Sequence, residues 1–186
     1  LKVLNNPVEF DYIVDPAWWN SSWTYRKNFT VDNTNMQSNL TDFPLYVYFS
    51  DSDIGGHALA SGNALRFTWV NDSGSEIQVP YERENFTITG GTAVGYYWVK
   101  ANLTNTTATS TILWIYYGNN TAGAGDDGQQ TTSVWNANYK GVYHMNDDSG
   151  QITDSSSNSF NLTAVGTPVY KNTTSKAGLY SIRFKG

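Results

Sequence analysis

The stretch Leu45-Tyr46-Val47-Tyr48-Phe49, followed two residues later by Ser52-Asp53-Ile54-Gly55-Gly56, decides how the chain folds. Three apolar side chains alternate with two tyrosines, the period of a strand whose two faces meet different surroundings. The Gly-rich segment after it is a turn signal. The same alternation recurs at Phe29/Val31, Leu65/Phe67/Trp69, Ile77/Val79/Tyr81, Phe86/Ile88, Val94/Tyr96/Trp98 and Ile112/Trp114/Tyr116. Further turn signals, Asn71-Asp72-Ser73-Gly74 and Gly90-Gly91, separate these runs. Helical periodicity is almost absent, with room for one turn between Ala58 and Leu65. About seven short strands at this spacing predict an all-β protein, an antiparallel immunoglobulin-like or jelly-roll-type β-sandwich. The Gly-, Asn- and Asp-rich stretch 118–130 reads as its exit and a linker. Beyond it, Tyr139–Met145, Phe160–Val165 and Tyr180–Phe184 are three further candidate strands.

Residues 1–16 read as an N-terminal extension strand ahead of the sandwich. Val8, Phe10, Tyr12 and Val14 point one way, with Glu9, Asp11 and Asp15 off that line and Pro7 and Pro16 at the bounds. A half-apolar strand of this kind is unstable alone in water and must join a sheet. That sheet is either its own or a neighbouring copy's, as in strand addition between subunits. The expected organisation is extension 1–16, sandwich 17–135 and further strands 136–186.

Ten Asn-x-Ser/Thr triplets occur in 186 residues that hold no cysteine: Asn20, Asn28, Asn39, Asn71, Asn85, Asn102, Asn105, Asn119, Asn161 and Asn172. With 20 Asn in the chain, chance would give about four or five. In the triplets at Asn28, Asn39, Asn85, Asn102 and Asn161 the middle residue is Phe or Leu. An inward middle residue would put Asn and Thr together on the water side of a strand. The expectation is an extracellular or cell-surface glycoprotein with covalent N-linked glycans and no other cofactor. The first residue is Leu rather than Met, which reads as a mature or trimmed product. The net charge of −5, with scattered Lys and Arg, speaks against nucleic acid. No apolar run approaches the roughly 20 residues of a membrane span.

Catalytic and metal chemistry find little support. The two histidines, His57 and His144, sit in no Ser-His-Asp order and no HExxH motif. No catalytic residue and no metal ligand is expected. The pairs Asp51/Asp53, Asp126/Asp127 and Asp147/Asp148 read as turn or solvated residues, Asp51/Asp53 as an Asx-type turn. Trp18, Trp19, Trp23, Tyr46, Tyr48 and Tyr97 could stack on sugar rings. Alternatively the three tryptophans plug the end of the sandwich.

Several motifs carry a resemblance. Trp18-Trp19…Trp23-Thr24-Tyr25-Arg26-Lys27-Asn28-Phe29-Thr30-Val31 is followed by Asp42-Phe43-Pro44-Leu45-Tyr46-Val47, Leu65-Arg66-Phe67-Thr68, Val79-Pro80-Tyr81-Glu82, Tyr97-Trp98-Val99-Lys100 and Ile115-Tyr116-Tyr117-Gly118-Asn119. In this order, over roughly 18–135, they resemble the domain of unknown function 2341, a module of prokaryotic surface and secreted proteins. Tyr143-His144-Met145-Asn146, Asp154-Ser155-Ser156-Ser157-Asn158 and Ser181-Ile182-Arg183-Phe184 resemble the opening strands of a laminin-G/concanavalin-A-like jelly roll. The resemblance implies a β-sandwich and a surface role, and no catalytic residues. The function expected is a non-enzymatic structural subunit of a pilus-like extracellular filament, a homopolymer joined by donor-strand exchange through Val8, Phe10, Tyr12 and Val14. The alternative is a carbohydrate-binding accessory module of a larger secreted protein, with a polysaccharide as partner.

Overall fold

Alternation along the first part of the chain sorts side chains between two sheets. The structure, a computed structural model, describes residues 17–33, 35–71, 74–105, 111–121, 128–173 and 179–183. Val8, Phe10, Tyr12 and Val14, and the pair Asp126/Asp127, lie outside the described residues. Two units divide between Gln129 and Gln130, a few residues ahead of the expected 135/136 boundary.

The first unit is an all-β, antiparallel sandwich. Its strands are β1 (Tyr25–Val31), β2 (Leu40–Asp51), β3 (Arg66–Val70), β4 (Glu76–Gln78), β5 (Tyr81–Thr89), β6 (Thr92–Leu103) and β7 (Thr111–Tyr117). One sheet has the order β1-β7-β3-β4 and the other β2-β6-β5. Leu45, Val47 and Phe49 of β2 face Phe67, Leu113, Ile115 and Tyr117 of the opposite sheet across a buried core. Ring pairs fix what lies over what. Phe29 of β1 sits 6.2 Å from Phe49 of β2. Phe67 of β3 sits 5.1 Å from Tyr97 of β6 and 5.3 Å from Tyr81 of β5. Four strands thus oppose three, and among the described residues β4 has no strand opposite it. Ile77 of β4 is in register with the inward Trp69, and directly opposed residues share a face, yet Ile77 is 40% exposed. Trp69, Phe86 and Ile88 nearby are only partly buried against the core.

Two readings of the alternation are corrected. On β6 the buried set is Ala93, Tyr97, Val99, Ala101 and Leu103, so Val94, Tyr96 and Trp98 face outward. On β7 the inward set is Leu113, Ile115 and Tyr117. Both strands carry large apolar residues at both parities, so period 2 alone does not choose between faces. Packing does. A Cβ on Gly95 would lie 2.3 Å from the Phe49 ring, which stacks on Tyr97 at 5.8 Å and 10°. Position 95 is therefore inward and side-chain-free. The run Ile77/Val79/Tyr81 is also not one strand. The chain crosses between sheets at Val79-Pro80, where the Val79 amide donates to the Phe67 carbonyl and the Lys100 amide to the Pro80 carbonyl, both at 2.9 Å.

The Gly-rich segment after β2 is a short helix, α1 (Ser52–His57), whose glycines hid it because glycine is a poor helix former. Tertiary packing overrides that preference: Ile54 is fully buried, and the Asp51 carboxylate caps the helix by accepting from the Ile54 amide at 2.9 Å. Ala58–Leu65 forms turns and no helix. In β5, Arg83 opposes Tyr97 while Asn85 opposes Tyr96, so Glu84 is an extra residue, a β-bulge. It switches the parity, sending Phe86 and Ile88 inward and Asn85 and Thr87 outward.

The second unit holds α2 (Thr131–Val134) and the strand pairs β8 (Gln151–Ile152) with β9 (Leu162–Thr163) and β10 (Val169–Asn172) with β11 (Ser181–Arg183). Tyr139–Met145 is not a strand, and only Leu162–Thr163 of the expected 160–165 pairs. Asp154 organises this region instead. Its Oδ1 accepts from the Val142 and Ser156 amides, and its Oδ2 from the Phe160 amide and the Ser156 hydroxyl, at 2.8–2.9 Å. Burial would raise its pKa, but these donors outweigh it and hold the carboxyl down at about 2. A depressed carboxyl stabilises the fold above its unfolded value, and that contribution is lost as pH falls from about 4 to about 2. We therefore expect Asp154→Asn to lower the melting temperature of this unit at neutral pH, the difference shrinking as pH approaches 2. The amide proton shifts of Val142, Ser156 and Phe160 should titrate together by NMR with that low midpoint. A common midpoint near 4 would contradict it.

Candidate functional site

The two outer faces of the first unit differ in what covers them. On the four-stranded sheet, Arg26, Tyr116 and Arg66 form one row across β1, β7 and β3. Trp18 and Trp19 fold over this row, their rings 5.4 and 5.5 Å from that of Tyr116. The Arg26 guanidinium lies between Trp18 at 4.6 Å and Trp114 at 4.4 Å. It donates to Glu76 at 2.7 Å and to the Tyr116 hydroxyl at 3.0 Å, and Tyr116 donates to the same Glu76 oxygen at 2.7 Å. Trp23 is buried, its Nε1 donating to the Ala64 carbonyl at 2.6 Å. Beside it the buried Arg66 donates to the carbonyls of Asn63 and Leu65. A Cβ on Gly128 would fall 2.2 Å from the Arg66 guanidinium, and φ there is +65°, so glycine suits that position twice over. The tryptophans thus seal a sheet face, and neither Trp23, buried beneath that cover, nor Tyr97, buried in the core, belongs to a stacking platform.

The three-stranded sheet presents an aromatic face. Registers place Asn85, Tyr96 and Tyr48 in one row and Glu82, Trp98 and Tyr46 in the next. Tyr48 packs on Tyr96 at 5.0 Å and Tyr46 on Trp98 at 4.8 Å. Tyr48 is 49% exposed. Tyr46 has its hydroxyl pKa pushed up to about 12, first by burial and then by the Glu84 carboxylate and Tyr96. Of the tyrosines read from sequence, Tyr46 and Tyr48 belong here. Tyr96 and Trp98 were missed because β6 was read in the wrong parity.

The acceptor asparagines spread over this frame. In the triplets at Asn28, Asn39, Asn85 and Asn102 the middle Phe or Leu packs into or against the core. At Asn161 it does not: Leu162 is exposed. Asn28, Asn39, Asn105 and Asn161 are exposed and Asn20, Asn71, Asn85 and Asn102 half-buried, while Asn172 lies in β10. Asn119 stands apart at 7% exposure, its Oδ1 accepting from the Thr121 amide and hydroxyl. A shared pose emerges. The Oδ1 atoms of Asn20, Asn39, Asn71, Asn102 and Asn161 each accept a backbone amide, from Ser22, Asn105, Ser75, Asp42 and Asp154 respectively. A backbone N–H can only donate, so the atom in each of these bonds is the oxygen and not Nδ2, the atom a glycan would use.

The carboxylates read as turn residues have defined partners. Lys27 Nζ sits 2.6 Å from Asp51 and 3.9 Å from Asp53, tying β1 to the start of α1. Against the effect of burial, Lys27 and the Ile54 amide hold the Asp51 carboxyl below its usual range. Asp53 also receives the Tyr117 hydroxyl and faces His57, whose ring packs on Tyr25 at 4.0 Å. Asp147 accepts from Thr153, and Asp148 pairs with Lys171 at 2.7 Å. His144 lies beside Trp135 at 5.7 Å. Among the described residues no three His, Asp or Glu side chains gather where they could hold a metal ion. None of the described helices is long and apolar enough to cross a membrane.

A sequence model of the family described as a domain of unknown function, DUF2341, matches residues 61–160. The chain belongs to this family. No curated protein and no solved structure matches it. The DUF2341 match takes in β3 to β7, and so the row partners Tyr96, Trp98 and Asn85. It runs on through Asp154 to Phe160. The Trp18–Val31 and Asp42–Val47 motifs lie outside the matched residues.

Proposed function

We propose that this DUF2341 protein is an N-glycosylated, extracellular structural subunit of a surface filament. Val8, Phe10, Tyr12 and Val14 of one copy complete the sheet of the next. The observation that carries the reading is the four-against-three strand count. We place the incoming strand beside β5 and opposite β4, where Ile77 is exposed and Trp69, Phe86 and Ile88 are only partly buried. An extension of about 8 residues spans ~25 Å, comparable to the nine residues of β5. Its alternate apolar side chains suit a slot whose inward wall is apolar and whose outer side is water. A head-to-tail contact of this kind does not close on itself and propagates into a fibre. The reading has no catalytic step. The test is negative-stain electron microscopy of the full chain beside one lacking residues 1–15. Fibres from the full chain alone are expected, and single particles from both would overturn the reading.

The aromatic face favours a second reading, a carbohydrate-binding module. Such a protein would be a monomer retained on a polysaccharide column, and Tyr48→Ser would weaken retention.

A further inference from the structure

The structure assigns the aromatic face an occupant: we propose that the glycan carried by Asn85 lies back over Tyr96 and Tyr48 and covers the outer face of the three-stranded sheet. This rests on the N-glycosylation in the preceding reading and adds where one glycan goes and what it touches. The bulge at Glu84 turns Asn85 and Thr87 to the outer face, directly into the row Asn85–Tyr96–Tyr48. Directly opposed residues have their Cβ atoms about 4.5–5.5 Å apart, so the first sugar on Asn85 Nδ2 meets the Tyr96 ring. A second sugar reaches Tyr48, two strand spacings or roughly 9.5 Å from β5. Sugar rings carry apolar C–H faces that pack on aromatic rings, and hydroxyls that donate to carboxylates. This face offers tyrosine rings for the first of these.

The direction follows from what lies on each side. Asn85 stands on an edge strand. Toward β6 there is aromatic surface to cover, and the other way, among the described residues, the sheet has no further strand. Lying inward also keeps the sugar clear of the β5 edge, where the reading above puts the incoming strand.

The test uses the protein from a glycosylating host, with occupancy at Asn85 read by glycopeptide mass spectrometry. Thr87→Ala removes the acceptor while leaving Asn85, and Tyr48→Ser removes one ring that is already half exposed, so neither threatens the fold. Loss of the glycan in Thr87→Ala should lower the melting temperature by roughly 3 °C. In the Tyr48→Ser background the same loss should have a smaller effect, since only the contact with Tyr96 remains. Sugar ring protons should shift upfield by NMR in the wild type and return in Tyr48→Ser. An Asn85 glycan whose stabilising effect is equal with and without Tyr48 overturns the inference but leaves the filament reading intact. An unmodified Asn85 beside other occupied sites also overturns the inference alone. A chain bare at every acceptor overturns the glycosylation reading with it. Binding of soluble polysaccharide by the glycosylated wild type as strongly as by Thr87→Ala would show the face to be open, against the inference.

Discussion

Phe10→Asp should leave a folded, glycosylated monomer that forms no fibres at any concentration where the wild type does. Phe10 is the second of four apolar side chains on one face of the extension. Burying it is worth roughly 1.5–3 kcal/mol. An aspartate in its place forfeits that and adds the desolvation of an unpaired carboxylate, several kcal/mol more. A combined loss of about 4 kcal/mol would weaken each joint nearly a thousandfold, and in a polymer every joint carries the change. The described core of the sandwich is closed by side chains between Phe29 and Tyr117. Sedimentation should therefore show a monomer with wild-type circular dichroism. A synthetic peptide of residues 1–16 should bind that monomer, because its acceptor slot is intact. Fibres from Phe10→Asp would end the strand-exchange proposal.

The largest stability effect should come from the opposite sheet. Glu76→Ala is expected to destabilise the first unit by about 3–5 kcal/mol, read as a lowered midpoint in urea denaturation. The side chains of Arg26 and Glu76 are 4% and 1% exposed. Removing the carboxylate takes the ion-pair partner at 2.7 Å from a guanidinium held between two tryptophan rings, and Thr68 and Tyr116 lose their shared acceptor. That is a large share of the 5–15 kcal/mol typical of a whole domain. Glu76→Gln should lose less, since the amide oxygen still accepts. A change below about 1 kcal/mol for Glu76→Ala would mean that the ion pair is solvated and the tryptophan cover open.

The strand content was legible in sequence because Leu45/Val47/Phe49 and Leu65/Phe67/Trp69 have one clearly apolar parity. It failed on β6 and β7, where Tyr96, Tyr97 and Trp98 or Trp114 and Ile115 give both faces equal claims. Pairing across strands then decides, and pairing is not local. The Asx-type reading of Asp51/Asp53 anticipated the cap at Asp51, but the helix it caps was hidden by Gly55 and Gly56. Glu76 gave no signal, since a lone glutamate in a three-residue strand looks solvated until Arg26, fifty positions away, arrives beside it. Four of the apolar-centred acceptor triplets follow the strand rule. The exception at Leu162 falls in the second unit, where Phe160, Leu162, Val165 and Val169 are exposed.

The extra residue at Glu84 has a bearing on how this sequence tolerates change in length. Deleting Glu84 alone would remove the bulge and leave a regular alternation, with Arg83 still opposite Tyr97, Asn85 opposite Tyr96 and Phe86 opposite Gly95. Deleting a second residue would exchange the two faces of the rest of β5, putting polar side chains into the core and two apolar ones into water. Related sequences should therefore lose one residue here without further change, and a loss of two should come with a compensating insertion before Gly90.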